Sequence, residues 1–437
     1  MIFNQLQQFR QTLYDTLGNA RDALFDLMDA VLVSACITSF VSLSQSPVFR
    51  RQWASTYEAL QDSHLPRAKV RKLLVSQIPT HQQPVLAGDS SQWNRPAAKT
   101  LKDRTFSSSS GGSISVGHSY STLAWIPEES GSWALPLCHE RITSFETPLS
   151  RAAFQLKQVS HQLSVRPLGI YDRAYGNASF VNQTAEIEAD LLLRLTSNRC
   201  VYGVPPAYKG RGAPPKHGHK MKLNAPETWL PPTEVMEVDD PKVGQVRVSR
   251  WSGYHFQKSS TRAMEILRVE VLEPKGRNRR WKPLWLAWLG ETLPPIETLW
   301  LKYLRRFALE HWYRFAKQRL YWTHPQFTSM AATDCWSGLM PLLSWQLWVA
   351  RAECVDQPLP WQSPQDDLAP GRVSQAFASI LAAIGTPAPA PKTRGKSPGR
   401  AKGDRPSPRP RYPTVKKRAS KRKKSEQSPN HSKPVVA

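Results

Sequence analysis

Four residues of the stretch YLRRFALEHWYRFAK, residues 303 to 317, keep fixed intervals. Tyr303, Arg306, Glu310 and Lys317 follow the pattern Y-x2-R-x3-E-x6-K. On one continuous helix turning about 100° per residue, the four fall within about 60° of one face. A tyrosine, two cations and a carboxylate would then share a stripe on a segment otherwise rich in Leu, Phe and Trp. Arg314 lies near the same face. Two further carboxylates, Asp89 in PVLAGDSSQW and Asp172 in LGIYDRAYG, close short apolar runs that read as buried strands. A carboxylate at the end of a core strand is costly unless it is paired or holds a metal. Three such groups brought together repel one another until divalent cations neutralise them. Paired cations activate an attacking oxygen and stabilise a leaving one in phosphoryl transfer. Magnesium takes oxygen ligands, which Asp and Glu supply. The competing account of the helix is a salt bridge between Arg306 and Glu310 at i, i+4. It leaves Tyr303, Lys317 and both aspartates unexplained.

The elements that must position these groups follow an α/β order. Residues 1–80 read as a small, basic, helical domain. Phe3, Leu6, Phe9, Leu13 and Leu17 recur at helical spacing, and Arg67, Lys69, Arg71 and Lys72 cluster near its end. It suits packing or DNA contact. Residues 81–196 open with the short strand ending near Asp89. ISVGHSYSTLAWI and GSWALPLCHERI read as a β-hairpin, and TPLSRAAFQLKQVSHQL as a helix capped by Thr147. The strand ending at Asp172, a helix over SFVNQTAEIEA and a strand over DLLLRLTS follow. Residues 197–280 interrupt this order with β-type runs, read as an inserted subdomain. Its basic Gly/Pro loop, YKGRGAPPKHGHK, carries Lys209, Arg211 and Lys216. The HGH of that loop resembles a metal pair only superficially, and a phosphate-facing loop suits it better. Residues 281–355 resume the core with the strand KPLWLAWLG, the signature helix and an apolar helix over 340–353. Residues 356–385 form a linker or helix.

From Thr386 to the end, 16 Lys and Arg face 2 acidic residues, with 10 Pro. Such a segment buries too little apolar surface to offset its ordering entropy, so disorder is expected. The whole chain has 437 residues and a net charge of +25. More than half of that charge lies in the tail, yet the body is basic too. A polyanionic partner follows, and nucleic acid fits better than an anionic membrane, since no amphipathic anchor or lipidation motif is present. The five cysteines include no CxxC pair, which argues against a zinc or disulfide framework and fits a reducing cytoplasm. The longest uncharged apolar run, residues 30–43, is too short to span a bilayer.

These residues together resemble the DDE transposases of bacterial insertion sequences, in the branch defined by Y-x2-R-x3-E-x6-K. The resemblance covers about residues 15–355 and implies an RNase H-like core: a mixed sheet flanked by helices, with a β-rich insertion between Asp172 and the signature helix. It implies that Asp89, Asp172 and Glu310 are the catalytic triad and hold two Mg²⁺, with Mn²⁺ as a substitute. It implies that Arg306, Lys317 and Tyr303 grip phosphates beside the scissile bond, with Arg314 a weaker contact. The expected activity is binding of terminal inverted repeats in double-stranded DNA, cleavage, and joining of the 3′-OH ends to target DNA by a homodimer. Some members of this branch pass through a hairpin at the cut end. Two rivals remain open: an RNase H-like nuclease without strand transfer, and a DNA-binding regulator with a dead core. His118 reads as structural, His139 and Glu140 as supporting or bland. Trp93 suits either base stacking or core packing.

Overall fold

The computed structural model describes residues 3–108, 113–276, 281–393, 399, 401–405 and 407–417. Its centre is built from β1 (Val85–Asn94), β3 (Ile114–Trp125), β4 (Leu135–Ile142), β5 (Leu168–Tyr171) and β6 (Asp190–Leu195). β2 (Thr105–Ser108) pairs with the first residues of β3. β3 runs antiparallel to β1, and β4 antiparallel to β3. β5 runs parallel to β1, and β6 parallel to β5. The spatial order β4-β3-β1-β5-β6 with these directions is the RNase H-like arrangement, as expected. β5 and β6 are almost wholly buried and read LGIY and DLLLRL, the continuous apolar runs of strands covered on both faces.

β1 differs from the expectation. It does not end near Asp89 but continues five residues to Asn94, paired with β3 up to Asn94 opposite Gly117. The polar run Ser90, Ser91 and Gln92 hides this extension from a search for apolar runs. Helices cover both faces of β3. Ser121 Oγ donates to Gln155 Oε1 of α6 (Pro148–Ser160) at 2.7 Å. The next residue, Thr122, bonds instead to Tyr313 of α9 (Phe307–Gln318) at 2.8 Å. Consecutive strand residues point to opposite faces, so α6 and α9 lie on opposite sides of the sheet. α6 starts where Thr147 caps the Ser150 N–H. The helix expected over SFVNQTAEIEA is a short α7 (Ala178–Gln183).

The insertion is continuous with the core sheet. It contributes β7 (Cys200–Tyr202), β8 (Lys220–Lys222), β9 (Glu234–Asp240), β10 (Gly244–Phe256) and β11 (Ser259–Pro274). β12 (Leu284–Leu289) pairs antiparallel with β6 on one side and with β11 on the other. The insertion therefore extends the core sheet through β12 instead of standing apart from it.

The signature segment is two helices. α8 (Ile296–Leu304) ends before Arg305, and α9 begins at Phe307. Between them the amides of Arg306, Ala308 and Leu309 donate three residues back, to Tyr303, Arg305 and Arg306. That tighter turn changes the angular spacing assumed for one continuous helix. The apolar helix that follows, α10 (Met330–Arg351), starts ten residues before the expected 340 and runs through Pro341. α11 (Pro370–Ile384) closes the helical part.

The first 80 residues form α1 (Asn4–Thr16), α2 (Arg21–Val33), α3 (Phe40–Ser44), α4 (Trp53–Asp62) and α5 (Arg67–Val75). They pack around α10 and α11. Buried Arg10 of α1 bonds Asp29 of α2 at 3.0 Å and Gln346 of α10 at 2.5 Å. A buried cation with two partners on two helices ties the N-terminal helices and α10 into one body.

Part of the segment expected to be disordered is docked. Tyr412 N–H donates to Lys99 O, and Val415 N–H to Arg104 O, each at 2.8 Å. Val415 pairs in parallel with Thr105 at the start of β2. Arg104 is buried and donates to Tyr412 O at 3.2 Å. Composition alone misses this, because backbone donors added at a free strand edge need no apolar side chains. Residues 418–437, with most of KKRASKRKK, lie outside the described residues.

Candidate active site

Asp89 lies in β1, and Asp172 directly follows β5. Gly88 of β1 stands opposite Tyr171 of β5 in the parallel register. The next residue on each strand is the aspartate, so the two stand side by side, roughly one strand spacing of ~4.8 Å apart. Gly88 is required for this. A Cβ there would lie 2.0 Å from the Tyr171 ring, which is buried and packs across it. Ser90 N–H donates to Asp89 Oδ1 at 2.7 Å, and Ala174 N–H to Asp172 Oδ1 at 2.9 Å. Both carboxylates are thus oriented by the backbone.

Glu310 reaches the same place from α9. Buried Arg306 donates through Nη1 to Asp89 Oδ2 at 3.2 Å and through Nη2 to Glu310 Oε1. One guanidinium therefore bridges a strand carboxylate and a helix carboxylate. The pKa of Asp89 is pushed up to about 6. Burial is the main cause, Asp172 and Glu310 add repulsion, and Arg306 partly offsets them. All three carboxylates thus share one electrostatic environment. Among the described residues no three His, Cys, Asp or Glu side chains stand close enough to hold a metal ion as placed. The donor set is still of the oxygen-only kind that suits Mg²⁺, and a cationic group already spans two of its three members.

The rest of the stripe divides. Tyr303 and Arg306 are buried, with the guanidinium 6.0 Å from the Tyr303 ring centroid. Arg306 is held by the carboxylates, and Tyr303 packs inside. Neither presents a free face to a phosphate, contrary to the expectation for one exposed stripe, because Tyr303 shares the buried face of α8 with Ile296, Leu299 and Trp300 and Arg306 is held by two carboxylates. Lys317 is half-buried, with Nζ 5.8 Å from the Trp322 ring centroid, and burial lowers its pKa. Arg314 is exposed, as are Lys209, Arg211 and Lys216 on the insertion loop. Gly210 and Gly212 of that loop have φ of 81° and 78°, and nothing lies within 4 Å of where their Cβ atoms would be.

The lesser candidates settle into the core. His118 bonds Lys102 O at 2.9 Å, and burial holds its pKa near 4. Trp93 is 1% exposed and packs on Trp322 and Phe327, so it has no face free for a base. His217 and His255 lie ring nitrogen to ring nitrogen at 2.9 Å in the insertion. Glu140 pairs with Arg151, away from the aspartates. Three buried residues went unnoticed as a set: Tyr313, Thr122 and His139. Tyr313 Oη lies 3.1 Å from Asp89 O and 2.8 Å from Thr122 Oγ1, and His139 Nδ1 lies 2.8 Å from Thr122 Oγ1. The readable signal was the i, i+3 spacing of Tyr313 from Glu310.

Among solved structures, one similar chain is a piggyBac transposase in a synaptic complex with hairpin DNA. It shares 8% identity, with 87% of this chain and 78% of that chain covered at a TM-score of 0.41. A comparison with curated proteins finds no match. No helix among the described residues is long and apolar enough to cross a membrane. The sequence profile of the DDE superfamily endonucleases matches residues 12–255, a span that holds Asp89 and Asp172 and stops short of Glu310. That match spans more than half of the chain, and on it the protein belongs to the DDE superfamily endonuclease family.

Proposed function

We propose that this endonuclease is a DNA transposase that uses Asp89, Asp172 and Glu310 to cut and join DNA ends. The observation that carries the reading is the parallel register setting Asp89 beside Asp172, with Glu310 joined to Asp89 through one guanidinium. The three carboxylates would hold two Mg²⁺, with Mn²⁺ as a substitute. Bound there, the ions supply charge neutralisation at phosphorus and an activated attacking oxygen. The chain's own groups do the positioning. The Ser90 and Ala174 amides fix the aspartates, and Arg306 sets how closely the helix carboxylate approaches them. Arg314, Lys317 and the loop cations Lys209, Arg211 and Lys216 would hold the DNA backbone, contacts that fix register without reading sequence. Water, then the freed 3′-OH, would attack in line. The partners would be terminal inverted repeats and target DNA, bound by a homodimer in the cytoplasm.

The test uses purified full-length protein, Mn²⁺ or Mg²⁺, and duplexes carrying the inverted repeats that flank the gene. Cleavage at the repeat ends followed by insertion into a supercoiled target supports the reading. Cleavage without joining makes the protein a nuclease only. Binding without cleavage makes it a DNA-binding regulator.

A further inference from the structure

Resting on the reading above, we propose that Tyr313, Thr122 and His139 are positioning residues. They form a hydrogen-bond chain that fixes the strand bearing Asp89 against the helix bearing Glu310. Thr122 is the cross-strand partner of Asp89, and His139 is the partner of Thr122 on β4. Tyr313 is three residues beyond Glu310 on α9. The chain thus joins three neighbouring strands to the helix at the level of the active site, through the backbone of the aspartate itself.

Tyr313 Oη donates, and its one proton serves Asp89 O and Thr122 Oγ1 in turn. The link between Thr122 Oγ1 and His139 Nδ1 takes its direction from the tautomer of the ring. His139 Nε2 is buried and has no partner among the described residues. A proton there would be an unpaired buried donor, which is expensive, so the ring carries its proton on Nδ1 and donates to Thr122 Oγ1. Burial, with Arg67 and Lys317 adding repulsion, keeps the ring neutral. His139 stacks on Tyr120 at 5.1 Å and meets the edges of Trp322 and Trp312 at 4.6 and 5.2 Å.

This wiring differs from ordinary core packing in what it controls. Tyr313 already packs on Trp322 through its ring, at 6.2 Å and 22°. The hydroxyl adds a fixed height of α9 on β1, and that height sets how the Glu310 carboxylate meets Asp89. A displacement of about 1 Å in a catalytic group can cost about 100-fold in rate.

The experiment compares Tyr313→Phe, Thr122→Val and Thr122→Ser with the wild-type full-length protein. DNA binding, cleavage rate and the Mn²⁺ concentration for half-maximal cleavage are measured. Half-maximal Mn²⁺ is also read without catalysis, from the metal-induced rise in melting temperature. Tyr313→Phe and Thr122→Val should lower the cleavage rate at least tenfold and raise half-maximal Mn²⁺ at least fivefold, with DNA affinity within twofold of wild type. Thr122→Ser, which keeps the hydroxyl, should restore both. ¹⁵N NMR should show His139 as the Nδ1–H tautomer in the wild type. If Tyr313→Phe and Thr122→Val only lower the melting temperature and leave half-maximal Mn²⁺ unchanged, the residues are packing alone and the proposal fails. An Nε2–H tautomer overturns it as well. Should one variant not fold, the Thr122→Ser and NMR results still decide. Failure of the wild type itself to show metal-dependent cleavage would instead strike the functional reading.

Discussion

Replacing Asp89 with Asn keeps the side chain's shape and removes one charge from a crowded site. In the folded chain its carboxyl pKa is pushed up to about 6, chiefly by burial and then by Asp172. An unfolded Asp titrates near ~3.9, so the difference is about 2 units, or about 3 kcal/mol at ~1.4 kcal/mol per unit. The sign follows from a raised pKa. The folded state binds the extra proton between those values, so this contribution is complete below about pH 4 and is lost as pH rises to about 6. Above that, the metal-free wild type carries a charge that the fold disfavours. Asp89→Asn should therefore match the wild type at pH 7.5 in EDTA or exceed it by up to about 3 kcal/mol, since the Asn oxygen still accepts from Arg306 and only the bond from the Ser90 amide is lost. The variant should also lose the stability decline between about pH 4 and 6. Adding Mn²⁺ should reverse the ranking, because a ligand at 100 times its Kd contributes about 2.7 kcal/mol to whichever protein binds it. Thermal melts across pH, in EDTA and in Mn²⁺, read all three effects. A loss of about 3–5 kcal/mol by Asp89→Asn in EDTA would refute the reasoning. It would mean that Asp89 is the structural counter-ion of buried Arg306.

Glu310→Gln should change metal-free stability by less than about 1 kcal/mol, because the Glu310 side chain is 48% exposed and Arg306 keeps Asp89; denaturant melts in EDTA check this. Replacing Lys209, Arg211 and Lys216 together with Ala should weaken DNA binding severalfold and flatten its salt dependence by about 2–3 in slope, with no change in melting temperature; titrations at several salt concentrations measure it. Truncation after Lys417 should leave the melting temperature unchanged and lower the salt slope. Truncation before Thr386 should also lower the melting temperature, since it removes the bonds of Tyr412 and Val415 to the β2 edge.

The RNase H-like core was legible because its strands are apolar runs with clear boundaries and its acidic residues interrupt them. Asp172 ends such a run, and β5 stops there. β1 outruns its apolar run because pairing with β3 carries it through the half-buried Ser90, Ser91 and Gln92 to Trp93 and Asn94. The signature intervals marked a helical segment, but the three-residue-back bonds at 303–309 are invisible in them. Tyr303 falls on the buried face of α8 with Ile296, Leu299 and Trp300, and Arg306 is buried against its carboxylates, while Glu310 on α9 stays exposed. The start of α10 was missed because its first turns, MAATDCWSG, carry few large apolar residues and depend on the Ser329 cap. The docking of Tyr412 to Val415 depends on a strand edge some 300 residues earlier, and no local pattern encodes that. The chain through Tyr313, Thr122 and His139 draws on three elements in the same way, so only the spacing of Tyr313 from Glu310 showed in sequence.

The central claim is that Asp89, Asp172 and Glu310 act together on DNA. Cleavage of a duplex bearing the element's terminal repeats should be measured for the wild type, Asp89→Asn, Asp172→Asn and Glu310→Gln, in Mn²⁺ and in EDTA, alongside DNA binding by each. The account predicts metal-dependent cleavage by the wild type, none by the three variants, and binding within a few fold for all four. Metal-dependent cleavage that survives any one of the substitutions would contradict it.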